Sequence, residues 1–345
     1  MRAMTGPLAV LPPWARLAAM AAVLSVAACL AGPVHAAAPT ASELIAGWRA
    51  RIDNPLVGHL WMKGQGVRDG ASLPALIGSS GARHVLLGEV HDNPDHHLLR
   101  AALIEALAAT GRLRVVSEHL RPDQSAALAE QSHQDKPLAI EDFFRLVAWD
   151  KSGWPAASMF QPLYAAILTA RVPLIAGEPA RQDVRAVART GIRSLAAIER
   201  RRLGLDQRLP AELRQPLIAD LVAGHCGILP ETMLENMADA QVYRDANMAE
   251  AMISGQSPDI ATVLLAGNGH VRSDRGVPWH LRQRAPHETA LAVLLIEIAP
   301  GNTDAASYLP RAPDATPAAD IVLFTPRADR EDPCERMRAH MQKKG

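Results

Sequence analysis

The stretch HVLLGEVHDNPDHH, residues 84–97, decides how this chain reads. Its first part is a short apolar run, VLL, that ends at Gly88 with no polar alternation. Such a run suits a strand buried on both faces, as in a parallel sheet. Its last part is a helix start, with Asn93 placed as N-cap and Pro94 in the first turn. Apolar residues then recur at helical spacing over 95–110, and Gly111 stands just past the end. Between strand and helix lie Glu89, His91 and Asp92, polar residues delivered to the carboxyl end of a strand.

The same pattern repeats outward along the chain. Apolar runs at 113–117, 172–177, 261–266 and 290–298 read as further strands, with extra ones at 58–63 and 321–324. Helical patterns lie between them, at 122–130, 159–171 and 231–255. Strands alternating with helices predict an α/β fold, a mostly parallel sheet flanked by helices and joined by right-handed crossovers. Residues 181–255 carry no convincing strand, and Pro210 and Pro216 break them into pieces. They read as a helical insertion, or cap, within a single α/β domain over 40–330. Residues 311–317 read as a loop, and 331–345 as a disordered basic tail.

Polar residues collect where the strands end. The strand at 113–117 leads into Glu118-His119, and the strand at 261–266 into Gly267-Asn268-Gly269-His270. In open parallel sheets ligands bind outside the carboxyl ends of the strands. Glu89, His91, Glu118, Asn268 and His270 are therefore the candidate catalytic residues, expected to converge on one sheet edge, with the Asn268 amide free to donate to a bound oxygen. Imidazole mixed with carboxylate suits a divalent metal such as Zn, Mn or Fe, for which His91, Glu118 and His270 are the candidate ligands. The same groups can serve instead as general base and orienting partner, or simply satisfy one another as a buried polar network. His96 and His97, early in a helix, read as solvated. His119 should face away from Glu118 and pack or hydrogen-bond, Asp92 should cap or orient His91, and His225 should cap a helix. Met233, Met237, Met248 and Met252 share a helical face and read as core.

Composition narrows the class. Among 345 residues Lys plus Arg equals Asp plus Glu, 36 each, so the chain lacks the basic excess that phosphate binding demands, and nucleic acid is not an expected partner. At the N-terminus, Arg2 and Arg16 precede an apolar run at 17–30, and Val34-His35-Ala36 has a small-x-small pattern. Residues 1–36 therefore read as a signal peptide, too short to span a membrane comfortably. Val26-Ala27-Ala28-Cys29 also reads as a lipobox, so the mature chain would begin at Cys29 or at Ala37. Either way the protein is expected to be exported, into the bacterial periplasm or lipid-anchored to the envelope through Cys29. After export Cys226 and Cys334 either pair or remain free thiols.

Taken together, LLGEVHDNPDHH, SEHLRPDQ, LLAGNGHVR and NMADAQVYRDANMAEAM resemble the ChaN family of haem-binding uptake lipoproteins, which is grouped with the TIKI peptidases and erythromycin esterases. The shared signature is two G-x-x-H motifs, here Gly88–His91 and Gly267–His270, with Glu118 as the glutamate between them. The resemblance implies haem as cofactor, a role in iron acquisition, an outer-membrane receptor as partner and haem held between the subunits of a homodimer. Tyr243 is the first choice of haem ligand. The TIKI branch implies the alternative, a metal-dependent hydrolase acting on a small-molecule or peptide substrate with the same cluster.

Overall fold

The computed structural model describes residues 38–125, 128, 138–255, 257, 259–332 and 334–335. The signal-peptide and lipobox readings of residues 1–36, much of the helix expected at 122–130 and residues 336–345 lie outside them. From Pro39 onward the chain forms one unit. Its strands are β1 His59–Met62, β2 Gly66–Asp69, β3 His84–Leu87, β4 Leu113–Ser117, β5 Leu174–Ala176, β6 Ala261–Leu265, β7 Ala290–Glu297 and β8 Ile321–Thr325. The main helices are α1 Ala41–Arg51, α2 Leu73–Ser79, α3 Pro94–Thr110, α4 Ile140–Leu146, α5 Ala157–Thr169, α6 Arg181–Thr190, α7 Ala197–Arg202, α8 Ala211–Gly224, α9 Glu231–Ile253, α10 Asn268–Val271 and α11 Val277–Arg284.

All eight strands form one sheet in the order β2-β1-β8-β7-β3-β6-β4-β5. From β8 to β5 every neighbouring pair is parallel, and the antiparallel pairings are those of β1, with β8 on one side and β2 on the other. The continuous apolar runs follow from this: β3, β4 and β8 are buried at every position because helices cover both faces. The hairpin strand β2 was not expected from the sequence. All four of its residues are exposed, so no apolar pattern marks it.

Topology explains why distant residues meet. The chain leaves β3, skips a place to β4, and returns much later to insert β6 between them. Leu265 of β6 is level with both Leu87 of β3 and Ser117 of β4. The three adjacent strands therefore release Gly88, Ala266 and Glu118 at one height on one edge.

The helical insertion has its own core. Val187, Leu203, Leu217, Ala238, Tyr243 and Trp279 belong to a second apolar cluster, while Met248, Ala249 and Met252 of the same long α9 pack into the main one. The methionine face divides accordingly: Met248 and Met252 are fully buried, but Met233 is exposed. Buried Arg114 closes the carboxyl end of α9, donating to the carbonyls of Ser254 at 2.7 Å and Met252 at 2.6 Å. A cation there satisfies orphan carbonyls and opposes the helix dipole favourably. His225 caps α8 as expected, its Nδ1 donating to the Leu221 carbonyl at 2.8 Å.

Cys226 and Cys334 are bonded as a disulfide. Part of the segment expected to be a disordered tail is thus tied down. Arg330 pairs with Asp92 and Glu297, and Cys334 is bonded to the turn after α8. The bridge spans 108 residues, which corresponds to about 4–5 kcal/mol in the chain-entropy account of cross-links. Reductant, or Cys334→Ser, is expected to lower the thermal midpoint. Equal midpoints, with two thiols titratable in the untreated protein, would show that the bridge does not form.

Candidate functional site

The strand-end residues do converge, in two linked groups built around two buried carboxylates. Glu89 follows β3 and is almost completely buried. Its Oε1 accepts from His91 Nδ1 at 2.6 Å and from His119 Nε2 at 2.8 Å. Its Oε2 pairs with the guanidinium of Arg100, itself fully buried on α3. Glu118 follows β4, and its Oε1 accepts from Arg244 Nη2 of α9 at 2.7 Å while its Oε2 accepts from the Gly267 amide at 2.7 Å. His91 Nε2 and His270 Nε2 lie 4.0 and 3.3 Å from Glu118 Oε1, so the two motif histidines share one carboxylate.

The glycines of both motifs are needed for close approach. A Cβ on Gly88 would stand 2.2 Å from Asn268 Oδ1, and one on Gly267 would stand 2.9 Å from His91 Nε2. The histidine at the fourth position of one motif therefore packs on the glycine of the other.

The loop that carries His91 is clamped from behind. Asn93 caps α3 by accepting from the amides of Asp95 and His96, and its own amide donates to Glu297 at 2.7 Å. His96 Nδ1 accepts from the Val90 amide at 2.9 Å, so its Nε2 carries the proton and donates to Thr325 Oγ1 at 2.8 Å. His97 Nε2 donates to the His91 carbonyl at 3.0 Å, and its Nδ1 accepts from Arg100 at 2.9 Å. Both histidines are fully buried, contrary to the solvated reading. The first turn of α3 lies against the sheet because Pro94 and the Asn93 cap turn it inward.

The two groups carry opposite protonation. Burial holds His91 and His119 below the ordinary histidine value, and drives His96 and His97 down to about 3. These imidazoles are neutral. His270 is also buried, but Glu118 and Asp245 outweigh the desolvation and lift it to about 9. Its Nδ1 donates to Asp245 Oδ1 at 2.5 Å. Burial raises Asp245 and opposes ionisation of Glu118, yet the cations His270 and Arg244 around Glu118 hold it well below the usual carboxylate range.

Several expectations need correction. Asn268 has a structural role the sequence did not suggest: its amide donates to the Leu295 carbonyl at 2.7 Å and its Oδ1 accepts from the Leu295 amide at 3.2 Å, fastening α10 to β7. Glu118 is a poor metal ligand, because both its oxygens are already engaged by donors. Among the described residues, the ligand atoms that lie together as a metal set belong to Glu89, His91 and His119. There the Arg100 guanidinium already supplies positive charge against the carboxylate. Tyr243 is 3 % exposed in the second apolar cluster, and the structure does not bring it to this site. Asp92 pairs with Arg330 rather than with His91. His119 does hydrogen-bond, as expected, and is part of the site.

Arg100, Trp154, Arg244 and Asp245 were missed. Gln241, Arg244 and Asp245 recur at three- and four-residue spacing on α9, as His96, His97 and Arg100 do on α3, so a polar face was present in each helix. The Trp154 ring packs 4.8 Å from that of His91, and its Nε1 donates to the His119 carbonyl at 3.2 Å. No periodicity marks it.

The match to known families is consistent with this geometry. The model of the haem-binding uptake family, Tiki superfamily, ChaN, matches residues 78–281, which include both motifs and α9. The chain belongs to this ChaN family. A solved structure of the ChaN protein of Campylobacter jejuni, described by its cofacial haem binding, superposes with a TM-score of 0.60 at 16 % identity, over 76 % of this chain and 95 % of that one. At that identity the likeness supports the α/β fold. An erythromycin esterase in its open conformation superposes with a TM-score of 0.43 at 14 % identity, over 80 % and 99 %. No curated protein matches the chain.

The protonation pattern sets a pH dependence. An unfolded chain takes up protons near 6.5 that native His96, His97 and His280 refuse until about 3, so stability falls as pH drops through that window. His270 acts in the other direction. Its folded value of about 9 adds stability that is complete below 6.5 and fades as pH rises to 9. Thermal midpoints are expected to decline on both sides of neutrality, and His270→Gln should flatten the alkaline decline. An alkaline limb unchanged in that variant would contradict the assignment.

Proposed function

We propose that this chain is an exported haem-binding protein of the ChaN type, acting in iron acquisition. Family membership points to haem, and the observation that carries the reading is the state of His91. Its side chain is 37 % exposed, whereas Glu89 beneath it is wholly buried. Its Nδ1–H is committed to that carboxylate, which orients the ring and raises the basicity of the other nitrogen, as carboxylates do behind metal-bound imidazoles. The imidazole is neutral, so Nε2 keeps its lone pair, and the missing side chain at Gly267 is what lets the ring take up this position. These residues fit an iron porphyrin. His91 would hold it, in place of Tyr243, with Trp154 offering a flat apolar surface. Bound haem would supply an iron centre able to take a nitrogen ligand. The recess beside Trp154 measures 190 Å³, below the roughly 300–1,000 Å³ of pockets that enclose a small molecule. A macrocycle would therefore lie on an open face, and a second copy of the chain is a natural cover for it. Release of haem to or from an outer-membrane receptor belongs to the same proposal.

A second reading has its own support. Neutral His91 backed by Glu89 is suited to accept a proton, and cationic His270 beside Arg244 is suited to donate one or to stabilise an oxyanion. A hydrolase of the broader superfamily would use that pair, and a divalent metal at Glu89, His91 and His119 would first have to replace the protons that both imidazoles donate to Glu89.

Titration of the mature protein with hemin is expected to give a saturable Soret shift that His91→Ala and Gly267→Ala abolish while the fold persists. An unshifted spectrum, or full binding by both variants, would refute the haem reading. Hydrolysis of ester or peptide substrates lost in His91→Ala and His270→Ala would favour the second. Mass spectrometry of the exported fraction should find a chain beginning at Cys29 or Ala37, and an intact Met1 there would contradict export by either signal.

A further inference from the structure

Beside the His91 group the surface opens into a recess lined by His119, Arg121, Ser152, Trp154, Glu178, Arg181, Val184 and Arg185. It shares two walls with the site: His119, bonded to Glu89, and Trp154, packed on His91. We propose that this recess is a carboxylate-binding subsite, so that the ligand reaching His91 carries at least one carboxylate arm. The inference rests on the haem reading for the body of the ligand, and assigns how its acidic arm is recognised.

Charge is the first argument. Three of the lining residues are arginines and one is an acid. Glu178 is already answered, since both its oxygens accept from Arg244 Nε, at 2.8 and 2.9 Å. Arg181 donates to the carbonyls of Lys151 and Ser152, contacts that hold its guanidinium in place without neutralising it. Arg121 lies 3.5 Å from Asp123, a carboxylate that is largely exposed and so screens it weakly. Arg185, one turn along α6 from Arg181, is exposed and makes no hydrogen bond or ion pair among the described residues. A recess with this balance attracts an anion. A planar guanidinium matches a carboxylate with two parallel N–H···O bonds, geometry an ammonium cannot offer.

Size and position are the second argument. The volume of 190 Å³ accommodates a short carboxylate chain but not a macrocycle. Trp154 forms the boundary, so a planar ligand lying over Trp154 and His91 would turn an acidic arm into the recess. Val184 supplies an apolar contact for the methylenes of such an arm.

The test uses hemin, metal-free protoporphyrin IX and the dimethyl esters of both, which keep the ring but lose the negative charges. Binding is read by the Soret band and by tryptophan quenching, in the wild type, Arg185→Glu and His91→Ala. The proposal expects Arg185→Glu and esterification each to weaken binding about tenfold, and the two losses to overlap rather than multiply. Protoporphyrin IX, which has no iron, should remain sensitive to Arg185→Glu yet insensitive to His91→Ala. Hemin binding that depends on His91 but is indifferent to both Arg185→Glu and esterification would overturn the subsite and leave the haem reading intact. Failure of every porphyrin to bind the wild type would overturn both.

Discussion

Glu89 is a carboxylate without access to water, and the rest of the site is arranged around that constraint. An ionised group removed from solvent is costly unless it is paired and hydrogen-bonded. Arg100 supplies the opposite charge, and His91 and His119 supply two donors on the other oxygen. Each of these demands something further. Burial pushes Arg100 down to about 9, and its guanidinium in turn donates to His97, which fixes the proton on the far nitrogen and so holds the His91 carbonyl. His119 turns its second nitrogen to the hydroxyls of Ser117 and Tyr164. The orientation of His91, the most exposed member, is thus set by a chain of buried partners.

The second carboxylate does different work. Glu118 stands between cations, Arg244 and His270, and accepts from the Gly267 amide, so it joins α9 to the turn after β6. The consequence is a site with two electrostatic halves, a neutral imidazole backed by a carboxylate and an imidazolium backed by another. Under the proposed function, haem ligation would use the first half and leave the second as a polar wall. Acid–base chemistry would use both.

The helical insertion is more than a cover. Its longest element, α9, takes part in both apolar cores and carries Gln241, Arg244 and Asp245 to the sheet edge. The disulfide and the Arg330 contacts connect the chain beyond β8 to the turn after α8 and to the His91 loop.

Residues 84–97, with the runs at 113–117 and 261–266, determined by themselves that the chain builds a parallel sheet and that Glu89, His91, Glu118 and His270 stand at its carboxyl edge. Apolar continuity, helix caps and glycine breaks are local signals, and strand direction carries them to one edge. The pairing of Cys226 with Cys334, the burial of His96 and His97, and the use of Asn268 as a fastener for β7 were decided only by the tertiary structure. So were the roles of Arg100, Trp154, Arg244 and Asp245, and the loss of Tyr243 to an apolar core. Each depends on which side chain from another element fills a given space and answers a given charge. That information belongs to the packing of helices on the late-inserted β6 and its neighbours, and no spacing within a single segment contains it.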